Sequence, residues 1–456
     1  MGPEIPLALT LLILTAGGIG LCVVIGLRPG TIPGWVAFLG LSYLTGISAF
    51  MIAAQFLLVI GMPAWLALVA VGAIPLAIIR VRLPEAALTE PWTGIDRFAV
   101  ALFAVIVTVL VGLGSLTAFE NPLYVWDGWA IWGQKALMLQ DGLTAQFTNP
   151  DYEPMHPDYP VGLPALQATV FTLAGEVATT EGDLPIWMML PAFGLAIGFL
   201  APVRPAYWVP VAGALLVLPF MVSGSLTNYA DVPTAILLGT ALLVGGRWLS
   251  EKDEWQVWLF GVLIGGAMCV KNEGVLIGFV LLIAVTALGW QQRRHLLPAW
   301  LVVLAAFLPW RIWITLQGLS SDLQVEKLAD PVYLVSNFDR VWTSAGRLFE
   351  KSLFGLQGVE LVLWVVFLLA AAALLVSGWR RPGAQLVLAG LAGSFAALLL
   401  AYWLSPHDLE WHLLTSADRV IITPVIILVI GVLLTIESAF DRKRRDGGES
   451  IGSSRS

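Results

Sequence analysis

Charged residues are scarce in this sequence. They make up 12% of the 456 residues, while hydrophobic residues make up 58%; a soluble domain carries about 25% charged residues. So few charges cannot cover a water-exposed surface, which excludes an ordinary soluble protein. Apolar runs of about 20 residues recur along the chain, and each can cross a ~30 Å hydrocarbon layer as a helix. The runs lack the alternating polar positions of strands, so the sequence predicts an all-α polytopic membrane protein.

Cysteine is nearly absent as well. Cys22 and Cys269 lie in apolar runs that are far apart in sequence, which argues against a disulfide framework and against a cysteine metal site. The first run, residues 6–27, has no basic leader and no small-residue cleavage motif, so it predicts a retained helix. The formal net charge is −7, and we expect no nucleic-acid partner.

About 13 membrane spans are predicted from the apolar runs. They cover residues 6–27, 33–60, 62–81, 98–118, 184–202, 206–224, 229–248, 256–271, 275–290, 297–316, 359–378, 384–404 and 420–437. With the N-terminus outside, the inner connections hold 16 of the 24 basic residues, as the positive-inside rule requires. The tail after residue 437 is basic, then rich in Gly and Ser, and is predicted to be disordered on the cytoplasmic side.

Three outer segments remain between these spans. Residues 119–183 form a long first loop, residues 318–358 a second with an amphipathic stretch at 338–354, and residues 405–419 a short polar third. Within the first loop, residues 161–174 are apolar but too short to span, and we expect them along the outer surface. Long loops are often functional, so the chemistry is predicted on the outer face.

Two acidic motifs lie on that face. Asp127 stands between Trp126 and Trp129, and it is either a general base or metal ligand or an incidental member of an interfacial tryptophan belt. Asp231 follows Tyr229 where a helix begins, and the helix dipole favours its charged form. A plain N-cap role explains Asp231 equally well.

Histidine and aspartate also occur together in the first loop. His156 and Asp158 precede Tyr159 in a proline-rich stretch. The pair can bind a metal or a polar acceptor, or it can be ordinary loop structure.

The cations near this face have two interpretations each. Lys271 and Glu273 interrupt an apolar stretch, where charge is costly; they form a local pair or a binding site. Arg311 either snorkels outward or binds a ligand. Arg419 ends the run that contains His412 and starts the last predicted helix, where the dipole disfavours a cation. Its compensating anion is either Asp418 or a ligand phosphate.

In their order along the chain these motifs resemble the GT-C superfamily of membrane glycosyltransferases, such as protein O-mannosyltransferases and the aminoarabinose transferase. The resemblance rests on Trp126-Asp127, Tyr159-Pro160, Tyr229–Pro233, Lys271–Gly274 and Trp411–Arg419. It implies a catalytic domain over residues 98–437 with juxtamembrane helices in the long first periplasmic loop. Three extra helices in residues 1–97 precede this domain, and the tail, residues 438–456, follows it.

The resemblance also implies an activity. A sugar would move from a polyprenyl-phosphate donor to a hydroxyl of a lipid, glycan or protein acceptor, with inversion, on the periplasmic face of a bacterial plasma membrane. Its residue assignments are Asp127 and Asp231 as catalytic acids, Lys271, Arg419 and Arg311 for the donor phosphate, and Trp126, Trp129, Tyr159, Glu273 and His412 for substrate.

Two questions stay open at this stage. Many relatives carry two adjacent acids in the first loop, whereas Gly128 follows Asp127 here, which leaves the need for a divalent cation undecided. The alternative function is a transporter or flippase of a lipid-linked precursor. Transporters place their polar sites near the bilayer midplane, whereas the ionisable residues here lie near one predicted boundary.

Overall fold

The structure, a computed structural model, is helical throughout the part of the chain that it describes, which is residues 2–29, 32–78, 92–120, 125–140, 142–149, 155–201, 203–322, 324–354 and 380–448. Its α-helices, in chain order, are α1 (Glu4–Val24), α2 (Ile32–Val59), α3 (Trp65–Ala73), α4 (Gly94–Glu120), α5 (Gln134–Gln140), α6 (Leu143–Phe147), α7 (Gly162–Ala174), α8 (Thr179–Trp187), α9 (Met189–Leu200), α10 (Pro205–Val217), α11 (Pro219–Leu226), α12 (Asp231–Glu251), α13 (Glu254–Met268), α14 (Asn272–Leu288), α15 (Leu297–Gln317), α16 (Pro331–Ser336), α17 (Asp339–Phe354), α18 (Pro382–Leu404), α19 (Leu409–Val420) and α20 (Ile422–Gly448). A π-helix (Gly128–Gly133) and three 3-10 helices (Ile74–Ile78, Trp290–Leu296, Val325–Ala329) join them. These described ranges contain no strand, which confirms the predicted all-α class.

Eight helical stretches in the described ranges are long and apolar enough to cross a membrane, or nine if α10 and α11, bent by 54° at their junction, form one span. The membrane prediction is therefore confirmed, but the count of about 13 is not. Three of the predicted spans are shorter helices, namely the α3 region, α13 and α14. The predicted span 359–378 lies outside the described residues.

Lipid-facing and protein-facing helices are clearly distinguished. Helix α4 exposes a row of large apolar side chains, among them Phe98 (71%), Val105 (58%) and Leu113 (61%), and such a face suits lipid rather than water. Helix α12 is buried along nearly its whole length. It contacts α9, α13, α14, α18 and α20, so it forms the centre of the bundle.

Helix α7 is surrounded by protein, and the prediction that residues 161–174 lie along the outer surface is wrong. Every residue from Gly162 to Phe171 is buried, and the helix contacts α2, α5 and α8. A helix that is apolar on all sides can be stabilised by complete burial as well as by lipid. Gly162 N–H donates to the Cys269 carbonyl at 2.8 Å, which fixes the start of α7 against the turn between α13 and α14.

The two later outer segments contain helices. The amphipathic stretch predicted in the second loop is α17, whose Trp342 and Phe349 are 70% and 63% exposed and lie seven residues apart, on one face. The third segment, predicted as a loop, is mostly α19, because the Asp408 carboxylate caps it by accepting from Trp411 N–H at 2.9 Å. Helix α20 extends to Gly448, into the predicted tail, and residues 449–456 lie outside the described part.

The N-terminal helices pack into the same body as the rest. Helix α2 contacts α7, α9, α13 and α15, and the Gln55 side chain donates from Nε2 to the Ala306 carbonyl at 2.9 Å. The N-terminal helices therefore pack against several helices of the predicted catalytic domain.

Gly274 permits the tight turn that leads into α14, and its replacement tests that turn. A Cβ atom at Gly274 would lie 2.2 Å from the Ala267 carbonyl oxygen. Gly274→Ala should therefore lower the free energy of unfolding by about 1–3 kcal/mol, measured as thermal unfolding in detergent. Gly112→Ala is the matched control, since a Cβ there meets nothing within 4 Å and alanine favours a helix. Equal stability of the two variants would contradict this account of the turn.

Candidate active site

The described residues enclose a cavity of about 460 Å³. It is bounded by the starts of the π-helix, α12 and α14, by the residues before α7, by Asp322, and by α18 and α19. The side chains that line it are Trp126, Asp127, Ile131, Trp132, His156, Tyr159, Tyr229, Asp231, Lys271, Asn272, Glu273, Leu276, Asp322, Leu398, Ala401, Tyr402, His407, Trp411, His412, Thr415, Ser416, Arg419 and Val420. Segments far apart in sequence therefore converge on one polar hollow in an apolar bundle.

Asp127 and Arg419 meet directly in this cavity. An Nη1 N–H of Arg419 donates to the Asp127 carboxylate, and the guanidinium also lies over the Tyr229 ring, 4.8 Å from its centroid, as in a cation–π contact. Asp127 stands immediately before the π-helix, a helix type that is frequent at functional sites. Residues nearly 300 positions apart thus share one ion pair.

The predicted setting of Arg419 is wrong in two respects. Arg419 lies in the last turn of α19 and does not begin a helix; the dipole at a helix C-terminus favours a cation. Asp418 is not its partner, because that carboxylate pairs with Lys351 Nζ at 2.7 Å. The positive charge of Arg419 is instead balanced by Asp127, which lies 292 positions earlier in the sequence.

Lys271 is the centre of a second charged group. Its ammonium lies 2.8 Å from the Asp231 carboxylate and 3.0 Å from that of Glu273. The predicted local pair of Lys271 and Glu273 is therefore present, and Asp231 joins it as a third member. Burial would lower the pKa of Lys271, yet the two carboxylates outweigh burial and raise it above its ordinary value. Asp231 is the first residue of α12, with Ala230 at the N-cap position, so the plain N-cap interpretation is wrong.

A third group in the cavity lining consists of His156, Asp322 and His407, and we call this part the histidine end. Asp322 binds Nδ1 of His156 through one carboxylate oxygen, and its other oxygen lies 3.7 Å from Nε2 of His407. The His156 ring stacks on Tyr159 at 4.8 Å between centroids. Burial would raise the pKa of Asp322, but the bond and charge of His156 outweigh burial and hold that pKa below its ordinary value.

A buried carboxylate, Asp158, connects these walls without lining the cavity. Its Oδ2 accepts from Asn272 Nδ2 at 2.8 Å and from Ser321 Oγ at 2.7 Å, and its main-chain carbonyl accepts from Trp310 Nε1 at 2.9 Å. Asn272 also accepts from Arg311. Asn272 itself lines the cavity and Ser321 adjoins Asp322, so Asp158 connects its own segment to two other segments of the wall.

A buried lysine supports the backbone at His156. Lys135 is 1% exposed, and its Nζ donates to the His156 carbonyl at 2.6 Å while lying 5.5 Å from the Tyr159 ring centroid. Burial lowers the pKa of Lys135 to about 7 against the opposing charges of Asp158 and Asp322. His156 adopts φ = +51°, an uncommon value outside glycine, which this contact helps to hold.

Eight of the ten predicted site residues line the cavity: Asp127, Asp231, Lys271, Arg419, Trp126, Tyr159, Glu273 and His412. Trp129 is 52% exposed and lies outside the lining, and Arg311 lies behind it, bonded to Asn272. The roles assigned to all ten remain predictions. Sequence reasoning missed Asp322 and His407 as site residues. A usable signal was histidine itself, since three of the four in the chain line this cavity.

The arrangement offers little for a metal ion. Among the residues that the structure describes, no three His, Cys, Asp or Glu side chains form a group that could hold one. The charged groups of the cavity are instead paired with each other, so its described chemistry is that of acids, bases and hydrogen-bond donors.

Comparison of the chain with protein-family models, with curated proteins and with solved structures finds no match. The functional argument therefore rests on the geometry of the cavity and on the motif resemblance.

Asp158→Asn tests whether burial destabilises the charged form of the Asp158 carboxylate. The amide oxygen can still accept from Asn272 and Ser321, so the variant should fold. Burial, followed by Asp322, raises the pKa of Asp158 above its ordinary 3.8 in the folded chain, so the folded state binds this proton more tightly than the unfolded state. The wild type should therefore lose stability relative to Asp158→Asn as pH rises from about 4 through the raised pKa.

The measurement is the difference in melting temperature between the two proteins in detergent, taken from about pH 4 to about pH 8. Asp339→Asn, at the start of α17 and outside the cavity, is the control. A difference that does not change with pH would contradict the assignment of a buried, destabilised carboxylate.

Proposed function

We propose that this protein is a membrane glycosyltransferase that moves a sugar from a polyprenyl-phosphate donor to an acceptor hydroxyl. The contact between Asp127 and Arg419 supports the proposal, because a carboxylate can act as a base and a guanidinium can bind a phosphate, and both line one cavity. The motif resemblance supports the same activity, with the cavity facing the periplasm of a bacterial plasma membrane. The lipid-facing surface of the bundle suits a polyprenyl tail.

The cations suit a phosphate. Arg419 keeps a fork of N–H donors besides the one on Asp127, and its Nε is buried without a hydrogen-bond partner among the described residues. A phosphate oxygen would satisfy that donor, and guanidinium–phosphate bonds are short and strong. Lys271 supplies a second positive charge, held in place by Asp231.

The proposed reaction is a single displacement. Asp127 accepts the proton of the acceptor hydroxyl, and the freed oxygen attacks the anomeric carbon. The bond from that carbon to the phosphate oxygen breaks, and polyprenyl phosphate leaves with the electron pair, inverting the anomeric centre. Phosphate is a good leaving group, so no general acid is needed. Arg419 and Lys271 stabilise its growing charge, which is worth about 3–4 kcal/mol for one well-placed donor.

A transporter of a lipid-linked precursor is the competing function, and the bend between α10 and α11 is the feature that favours it. Transporters bind substrates at discontinuous helices that occur in repeat-related pairs. The bent pair here has no counterpart among the described helices. The motif resemblance also points to glycosyl transfer, so we favour that function.

Asp127→Asn tests the base assignment. The amide keeps the shape of the side chain but cannot take a proton, so transfer from a radiolabelled polyprenyl-phosphate sugar should fall by about 10²- to 10⁴-fold. Asp418→Asn is the matched control, because Asp418 adjoins Arg419 but pairs with Lys351 instead. Undiminished transfer by Asp127→Asn in a folded preparation would refute the assignment.

Arg419→Lys tests the phosphate assignment. Lysine keeps the charge but loses the planar fork of donors, so affinity for polyprenyl phosphate should fall about tenfold, measured by titration in nanodiscs. Arg347→Lys should bind as the wild type does, since Arg347 pairs with Glu350 near the surface at 2.8 Å. Unchanged affinity in Arg419→Lys would place the phosphate elsewhere.

A further inference from the structure

The histidine end of the cavity carries polar atoms that no protein group satisfies. Among the described side chains, Nε2 of His407 and Nδ1 of His412 are buried without a hydrogen-bond partner. The two rings are neighbours, 5.6 Å apart between centroids, and both line the cavity. Buried polar atoms of a native protein are nearly always bonded, so these two nitrogens point to a ligand with polar groups.

The spacing around Asp322 indicates which groups those are. The 3.7 Å between its Oδ1 and Nε2 of His407 is longer than a hydrogen bond, so a bridging group can bond to both. The carboxylate, whose pKa is lowered by His156, accepts only, whereas a histidine nitrogen donates or accepts according to its tautomer. A hydroxyl donates and accepts at once, so it can satisfy the carboxylate and a histidine together.

The charge of the cavity excludes a further acid on the ligand. Four carboxylates line it (Asp127, Asp231, Glu273 and Asp322) against two permanent cations, Lys271 and Arg419. Both cations already have carboxylate partners and belong to the proposed phosphate end. A second anionic group at the histidine end would meet the carboxylate of Asp322, and no third Lys or Arg among the described residues lines the cavity to offset it.

The two ends are joined by an aromatic wall. Tyr159 stacks on His156 and on Trp132, with centroids 4.8 and 5.9 Å apart, and its ring centroid lies 6.0 Å from Lys271 Nζ. A group attached to a phosphate at Lys271 therefore extends along Tyr159 toward His156 and Asp322.

We propose that His156, Asp322, His407 and His412 form the sugar subsite of the cavity and bind the hydroxyls of an uncharged sugar, discriminating against sugars that carry a carboxylate. This inference rests on the proposed glycosyl transfer. It assigns the transferred sugar to the histidine end and its phosphate to Arg419 and Lys271.

The test is a binding series on the full-length protein in nanodiscs. The probes are decaprenol, decaprenyl phosphate, its glucose, mannose and galactose derivatives, and its glucuronate derivative. The wild type should bind at least one neutral-sugar derivative about tenfold tighter than decaprenyl phosphate, a gain of 1.4 kcal/mol. The glucuronate derivative should bind no tighter than decaprenyl phosphate itself.

Two variants locate this preference. His407→Phe keeps an aromatic ring and removes Nε2, and Asp322→Asn removes the charge; both should lose the gain from a neutral sugar while binding decaprenyl phosphate as the wild type does. Asp322→Asn should also bind the glucuronate derivative more tightly than the wild type, which a merely misfolded site would not. His295→Phe and Glu326→Gln, at exposed positions outside the cavity, are the controls.

The possible failures are distinguishable. If decaprenyl phosphate binds no tighter than decaprenol, both the proposed function and this inference fall. If the phosphate is recognised but no neutral sugar adds affinity, or the glucuronate derivative binds as tightly as the best neutral one, the inference is overturned while the phosphate-donor function stands. A neutral-sugar gain that survives in both variants would also overturn it.

Discussion

Polar and charged groups buried in an apolar bundle need hydrogen-bonding or charged partners, and Asp158 shows how this requirement shapes the molecule. The carboxylate is withdrawn from water, yet it gathers donors from α14 and from the segment before Asp322, while Trp310 of α15 holds its main chain. An acceptor lost from such a site would leave several buried donors unsatisfied, at about 1–3 kcal/mol each. Lys271 and Asp322 adjoin Asn272 and Ser321 in sequence, and His156 lies two residues before Asp158, so this one residue connects three segments of the cavity wall.

The same requirement explains why the cavity charges come as pairs. Lys271 holds Asp231 and Glu273, and Arg419 holds Asp127. In a low-dielectric setting each pair restricts its members to few arrangements, so donors and acceptors are oriented before any ligand arrives. Such preorganisation is the main electrostatic contribution that proteins make to catalysis.

A site residue could be predicted where its own sequence neighbours mark it as unusual, and not where only the fold brings it to the cavity. Lys271 interrupts an apolar run, where charge is costly, Asp127 stands between tryptophans, and Asp231 and Arg419 stand at predicted helix starts. Each of the four therefore has a signal in its own neighbourhood. Asp322 lies in an ordinary polar stretch, and only the fold brings it to His156. The predicted spans were counted from hydropathy, which does not distinguish burial in protein from burial in lipid. Helix α13, counted as a span, has only 15 residues and is largely buried in protein. The prediction that Arg419 starts the last helix was wrong because Leu409–Val420 forms a helix of its own, and Arg419 lies in its last turn.

The energetics of these pairs bear on why they are present. A buried ion pair contributes little net stability, and apolar residues of similar volume often stabilise a protein as well or better. A bundle with so few charged residues could have filled this hollow with leucine and phenylalanine, as it does around α12. It instead concentrates four carboxylates, two cations and three histidines there, and leaves nitrogens of His407, His412 and Arg419 without protein partners. Stability does not account for that combination. The proposed polar ligand would account for it, because that ligand would bond to the nitrogens that the protein leaves open.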